Sequence, residues 1–285
     1  MKAASRVHHV LRRPRRACLA ALVALWLWPV LATAQSAWLF GERHDHADHQ
    51  RQTADEIARL AKQGHLHAVV IEMAGQGAST VALPPDASEA QVQAALAWND
   101  KAWPWSRYRD VVMNAVRAGR PVFGGNLSRP QLREAMRQGR WDDTVPAANQ
   151  RRLTEAVRDG HCGLLPEAQL PGMVRMQLAR DDALARAVRQ AAEGAGRDAV
   201  VVLLAGSAHA SRELGVPLHL QKLAPRLPLR TIAFSSSHSP AAAEPGFDDW
   251  RPAPHEPPAD HCAALRGAWP ASSPASSQAP AQDPR

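Results

Sequence analysis

Short apolar runs separated by helix-patterned stretches constrain this chain more than any other feature. Trp38-Leu39-Phe40 closes one run; Ala68 to Met73, Pro121-Val122-Phe123, Ala199 to Ala205 and Thr231 to Phe234 form four more. A strand that is apolar at successive positions has to be covered on both faces, which is the situation of a parallel sheet between helices. Between the runs, Asp48 to Lys62 carries Ile57, Leu60 and Ala61 on one helical face. Arg107 to Ala118 is a second helix, stopped by Gly119 and Pro121. The alternation predicts an α/β fold, a parallel sheet flanked by helices and joined by right-handed crossovers. Residues 84 to 101 read as a further helix starting near Ser88, a residue type suited to an N-cap. From about 130 to 193 helical periodicity continues without a β-branched run, broken near Gly139, Gly160 and Pro171. Three or four helices are expected there, as a small inserted helical subdomain.

The two ends are expected to stand outside this domain, which then occupies residues 35–269. Lys2, Arg6, Arg12, Arg13, Arg15 and Arg16 precede an apolar run from Ala17 to Leu31 and the small-residue site Ala32-Thr33-Ala34. That order describes a secretory signal peptide cleaved after Ala34. The apolar run is about 15 residues, shorter than the roughly 20 that a spanning helix needs. Residues 270–285 are Ala, Ser, Pro and Gln without apolar period and are expected to be disordered. Cleavage takes 6 basic and no acidic residues from totals of 34 and 27, leaving 28 against 27. So balanced a surface gives no electrostatic case for nucleic acid as a partner. The expected location is the periplasm or the exterior, in soluble form. Of the cysteines left after cleavage, Cys162 and Cys262 either pair across a loop of about 100 residues or remain two thiols.

Polar residues follow each strong run at once. Gly41, Glu42, Arg43 and His44 follow the first, and Glu72 ends the second. Gly124, Gly125, Asn126 and Arg129 lie past the third, and Gly206, Ser207 and His209 past the fourth. In open parallel sheets ligands bind beyond the carboxyl ends of the strands, so these residues converge on one candidate site. The Gly-x-x-His spacing itself says little, because Gly64 to His67 repeats it ahead of a strand, on the wrong edge. Position after a strand is what singles out His44 and His209 from ordinary loop histidines. Glu72 ends a buried strand and must be paired or shift its pKa upward. It either pairs with Arg129 alone or joins Glu42, His44 and His209 in holding a divalent metal or orienting a general base.

Other residues have two readings each. His46 and His49 follow His44 at helical spacing, as a metal cluster or as a solvated helix start. His161 and Cys162 mark a tight turn in the insert, a lid contact or a disulfide corner. Gln177, Arg180 and Asp181 share a helix face that could reach the sheet or face water. Tyr108, the single tyrosine, follows Trp98, Trp103 and Trp105. Flat rings beside a phenol suit a porphyrin, with tyrosinate as axial ligand to ferric haem, but they equally suit packing over a sheet edge.

Five motifs in order resemble the ChaN family: Gly41-Glu42-Arg43-His44-Asp45-His46, Val69-Val70-Ile71-Glu72-Met73, Gly125-Asn126-Leu127-Ser128-Arg129, Gly160-His161-Cys162-Gly163-Leu164-Leu165-Pro166, and Ala205-Gly206-Ser207-Ala208-His209 with Gly215-Val216-Pro217. The resemblance implies a haem-binding protein of haem or iron uptake at the bacterial envelope, with a parallel-sheet domain and a small helical one. It also implies a homodimer, supplied by an outer-membrane haem uptake system. It places Tyr108 at the family's tyrosine, as candidate ligand to haem iron. Glu42, Asn126, Arg129 and His161 are the other candidate ligand-binding residues. The wider superfamily includes Tiki-type proteases and erythromycin-esterase-like enzymes, which implies His44, Glu72 and His209 as the core of a metal-dependent hydrolytic site. The chain departs from the family pattern in lacking a lipobox and in having Ser128 where a proline is usual.

Overall fold

The structure, a computed structural model, describes residues 35–235, 246–254 and 260–268. The expected signal peptide (1–34) and the expected disordered tail (270–285) lie outside the described residues. Six strands make one sheet: β1 (Ser36–Glu42), β2 (Leu66–Gly75), β3 (Val122–Asn126), β4 (Val200–Gly206), β5 (Leu229–Ser235) and β6 (Asp249–Pro252). Their order is β3-β2-β4-β1-β5-β6, and each of these neighbours pairs in parallel. Five of the six are the apolar runs. The sixth, Asp-Trp-Arg-Pro, is a short edge strand, a place where polar residues and proline are tolerated.

Successive strand residues go to opposite faces, and each face has its own core. On one, Phe40, Val69, Ile71, Val202 and Leu204 pack with Ile57 and Leu60 of α1 (Ala47–Lys62) and Val111 and Val112 of α3 (Trp105–Arg117). On the other, Leu39, Val70, Val201 and Leu203 pack with Leu184 and Val188 of α6 (Leu170–Ala191) and Val216 and Leu220 of α8 (Val216–Leu223). This double covering is why the central strands carry no polar alternation.

Between β3 and β4 run α4 (Arg129–Arg137), α5 (Ala147–Gly160) and α6. Leu153 and Val157 of α5 meet Leu170, Val174 and Leu178 of α6 in a third cluster, closed by Leu218 of α8. The first half of α6 therefore belongs to the inserted helices and its second half to the sheet. Pro171 sits in its first turn, where a missing N–H costs nothing, rather than breaking it. Ser88 caps α2 (Glu89–Ala95) in a reciprocal capping box with Gln91, but this helix is shorter than the expected 84–101. The residues past it turn at Ala97, whose φ is 47°. The helices α7 (Ser207–Ala210) and α8 after β4 escape the periodicity reading because they are short. A disulfide joins Cys162 to Cys262 in α9 (His261–Ala268), with Cα atoms 5.7 Å apart. Among the described residues no helix is long and apolar enough to cross a membrane.

The chain leaves β1 through α1 over one face and leaves β4 through α7 and α8, the latter packed on the other face. Neighbouring strands with connections departing to opposite sides open a crevice at their carboxyl ends. That crevice lies between Glu42 and Gly206, paired at the last register of β1 and β4. Fully buried Leu184 couples α6 to the sheet. Replacing it, Leu184→Ala, is expected to cost about 2–5 kcal/mol, read as a lower denaturant midpoint at unchanged slope.

Candidate active site

Two buried carboxylates leave the sheet in opposite directions. Glu42 lies two residues beyond Phe40 and emerges on the α1 and α3 face; Glu72 lies two beyond Val70 and emerges toward α6. The Tyr108 hydroxyl donates to Glu42 Oε1 at 2.8 Å, and Gln50 of α1 donates to Oε2. The backbone N–H of Gly206 donates to Glu72 Oε2 at 2.9 Å, while the Arg180 guanidinium of α6 lies 3.7 Å from Oε1.

His44 straddles the edge between these two groups. Its Nδ1 is 2.7 Å from Glu42 Oε1, and its Nε2 points over Gly206 to within 3.9 Å of Glu72 Oε2. A Cβ on Gly206 would come 3.0 Å from that Nε2, so the glycine is what lets the ring reach across. His209 approaches from the other side: Nδ1 lies 2.6 Å from Asp181 of α6 and Nε2 lies 3.6 Å from Glu72 Oε1. The turn after it is closed by Gly215, where a Cβ would sit 2.1 Å from the His209 carbonyl oxygen. Each imidazole thus has a carboxylate behind Nδ1 and turns Nε2 toward the same carboxylate in front. The distances to Glu72 exceed a hydrogen bond, so these are charge contacts across a narrow gap.

Burial strongly opposes charge on His209, but Asp181 and Glu72 outweigh it and raise its pKa above the ordinary 6.5. Burial also opposes charge on His44, and its bond to Glu42 with the charge of Glu72 raises that pKa as well. For Glu72, burial pushes upward; His209, His44, Arg180 and the Gly206 N–H together hold it below the ordinary 4.5. The group can therefore keep protons on two imidazoles around an ionised, buried carboxylate.

The expected site residues divide three ways. His44, Glu72, His209 and Glu42 converge. Asn126 supports them, its Nδ2 donating to the Glu72 backbone carbonyl at 3.0 Å. Arg129 does not join: it is exposed in the first turn of α4, and the cation beside Glu72 is Arg180 instead. Tyr108 is 1% exposed, its hydroxyl donates to Glu42, and burial with the Glu42 charge raises its pKa. It positions Glu42. His161 lines a cavity of about 190 Å³ together with Gln177, Asp181 and His209. Of the face shared by Gln177, Arg180 and Asp181, the last two reach Glu72 and His209, while half-buried Gln177 lines the cavity. His46 is buried rather than solvated, its Nε2 2.9 Å from the Pro254 carbonyl and its ring stacked on His49.

Each imidazole has a carboxylate behind Nδ1 and leaves Nε2 in front, as metal-ligating histidines do, while Arg180 already supplies a cation beside Glu72. Among the described residues, the group of three His, Cys or carboxylate donors lying within 4.8 Å of one another is Cys162, His261 and Cys262, elsewhere in the fold.

The charge network dictates a pH optimum of stability. His209, with its folded pKa raised, stabilises fully below pH 6.5, and that contribution is lost as pH rises through the folded value. Glu72, with its folded pKa lowered, stabilises fully above pH 4.5 and loses this as pH falls through its folded value. The joint contribution is therefore expected to be greatest between pH 4.5 and 6.5. Asp181→Asn should flatten the alkaline limb when denaturant midpoints are measured against pH.

The sequence matches the family model described as haem-binding uptake, Tiki superfamily, ChaN, over residues 31–220, more than half of the chain. Among solved structures it is similar to ChaN of Campylobacter jejuni, a structure of cofacial haem binding, at 22% identity and a TM-score of 0.58. That alignment covers 72% of this chain and 83% of the other. The type III effector HopBA1 aligns at 15% identity with a TM-score of 0.40, over 71% of this chain and 78% of its own. A Bacillus cereus protein aligns at 11% identity and 0.35, over 72% and 67%. No curated protein matches the sequence. The matched stretch holds all the residues of the crevice, and this chain belongs to the ChaN family of haem-binding uptake proteins in the Tiki superfamily.

Proposed function

We propose that this protein binds haem outside the cytoplasm, in the periplasm, for haem or iron acquisition. The family match over residues 31–220 carries the reading. The cavity beside His209 is about 190 Å³, below the roughly 300–1,000 Å³ of pockets that enclose ligands of this size. A porphyrin would therefore lie across its mouth, over α5 and the turn after it. His161 is the candidate iron ligand there. Its Nδ1 is 2.7 Å from the Val157 carbonyl oxygen, so Nδ1 donates there and Nε2 is the nitrogen left for an iron. An open face of this kind also suits two haems stacked between two copies of the chain, as the cofacial arrangement named for the Campylobacter protein suggests. An outer-membrane haem uptake system is the matching source of cargo.

Titrating haemin into the protein should give a saturable Soret shift. His161→Ala should weaken it by about tenfold or more, roughly 1.4 kcal/mol, while Tyr108→Phe should leave it within about twofold. A flat titration at micromolar protein overturns the haem reading, and equal loss in both variants overturns the assignment to His161.

A second reading rests on a separate observation: two carboxylate-oriented imidazoles facing Glu72 are acid–base machinery that haem binding does not require. Such a group could serve a hydrolase, His209 exchanging a proton with a bound ester, amide or lactone. If so, His209→Ala should lower turnover by about 10²–10⁴-fold on a panel of those substrates. Turnover unaffected by that change would discard this reading.

A further inference from the structure

One covalent bond and little else joins α9 to the rest of the molecule. Ala263, Ala264, Arg266 and Gly267 are exposed, and half-buried Leu265 joins none of the three apolar clusters. Among the described residues, no hydrogen bond or ion pair links 261–267 to another element. The first turn is tied only within itself, Asp260 Oδ1 accepting from the Ala263 N–H at 2.8 Å. At 8 residues the helix is also shorter than the roughly 12–15 that sustain an isolated helix in water. What keeps α9 in place is its bond from Cys262 to Cys162. The other end of that bond is different. The N–H of Cys162 donates to Asp159 O at 2.8 Å, that of Gly163 to Arg158 O at 3.0 Å and that of Leu164 to His161 O at 3.0 Å. Leu165 is buried among residues of α5 and α6, so this turn keeps its shape without the disulfide. The turn also borders the cavity beside His209: Gly160 and His161 line it, and Cys162 is the next residue. A Cα separation of 5.7 Å between the cysteines therefore sets the start of α9 beside the rim of that cavity.

We propose that the disulfide between Cys162 and Cys262 is a redox latch for a strap. Closed, it keeps α9 at the rim beside bound haem; opened by a dithiol, it frees α9 and haem leaves faster. The link to haem rests on the haem-binding reading above, whereas the latch itself does not. Both cysteines are half-buried, so a dithiol reaches the sulfurs without unfolding the chain. One thiolate of the dithiol attacks a cysteine sulfur, the S–S bond breaks, and the other cysteine leaves as a thiolate. The second thiol of the dithiol then displaces the first cysteine and closes a disulfide within the reductant. Two electrons and two protons pass to the protein, which ends with two thiols. The consequence is one-sided. His161 stays on its turn by the backbone bonds just described, while α9 loses its one strong attachment. Opening the latch therefore changes the rate at which haem escapes more than the ligand that holds it.

The test compares the oxidised protein with the double variant Cys162→Ser, Cys262→Ser, and with wild-type protein reduced by a phosphine. Backbone amide order parameters come first, without haem. Those of α9 should exceed about 0.6 in the oxidised protein and fall below about 0.6 in both open forms. Those of β4 and α5 should stay near about 0.85 throughout, which separates release of α9 from loss of the fold. Disordered α9 amides in the oxidised protein, or ordered ones in both open forms, overturn the latch. Haemin is then loaded on the oxidised protein and the double variant, and its transfer to excess apomyoglobin is timed. Release from the variant should be at least about fivefold faster. Equal rates overturn the strap. If neither form takes up haemin, the haem reading and the strap fall together, and the latch is still decided by the order parameters.

Discussion

A carboxylate buried at the end of a central strand governs the arrangement around it. Glu72 is 3% exposed, and an ionised group so placed is tolerable only with compensating charge and hydrogen bonds. Compensation comes from three separate parts of the chain: Arg180 and Asp181-oriented His209 on the α6 side, His44 from the end of β1, and the Gly206 N–H from the end of β4. His44, His209 and the Gly206 N–H are placed by the divergence of chain paths between β1 and β4, and Arg180 by the path of α6 across the sheet. Remove that divergence and the two histidines would no longer face a common centre.

The same frame explains the division of labour between the two faces. Tyr108 and Gln50 stabilise Glu42 on one side, and Glu42 in turn sets the ring of His44. On the other, Asp181 sets the ring of His209. The aromatic cluster above α3 is thereby explained as a packed support: Trp98 and Trp103 contact the Tyr108 ring, and Trp103 meets the edge of His44. Support of this sort fixes imidazole geometry.

Much of this was legible in the residues. The five apolar runs betray the sheet because burial on both faces removes polar alternation, and the Glu and His residues that end them announce the crevice. What escaped did so for identifiable reasons. β6 is polar because it is an edge. Arg180 and Arg129 are both arginines beside plausible partners, and only the path of α6 across the sheet decides which one meets Glu72. A tyrosine after three tryptophans reads identically whether it packs or coordinates. His46 looks solvated until Pro254, from the far end of the chain, closes over it. The cysteine pairing required a Cα separation that no spacing encodes.

The split allegiance of α6 has a mechanical meaning. Leu170, Val174 and Leu178 anchor it in the inserted helices, Leu184 and Val188 anchor it on the sheet, and Arg180 and Asp181 fall at the join. The helix is thus a stiff lever whose fulcrum is the charge network itself. The inserted helices cannot be trimmed away as an ornament, because pulling on them would tilt the fulcrum and leave a buried anion stranded. Whatever settles on their outer surface has a rigid rod leading straight to Glu72 and His209.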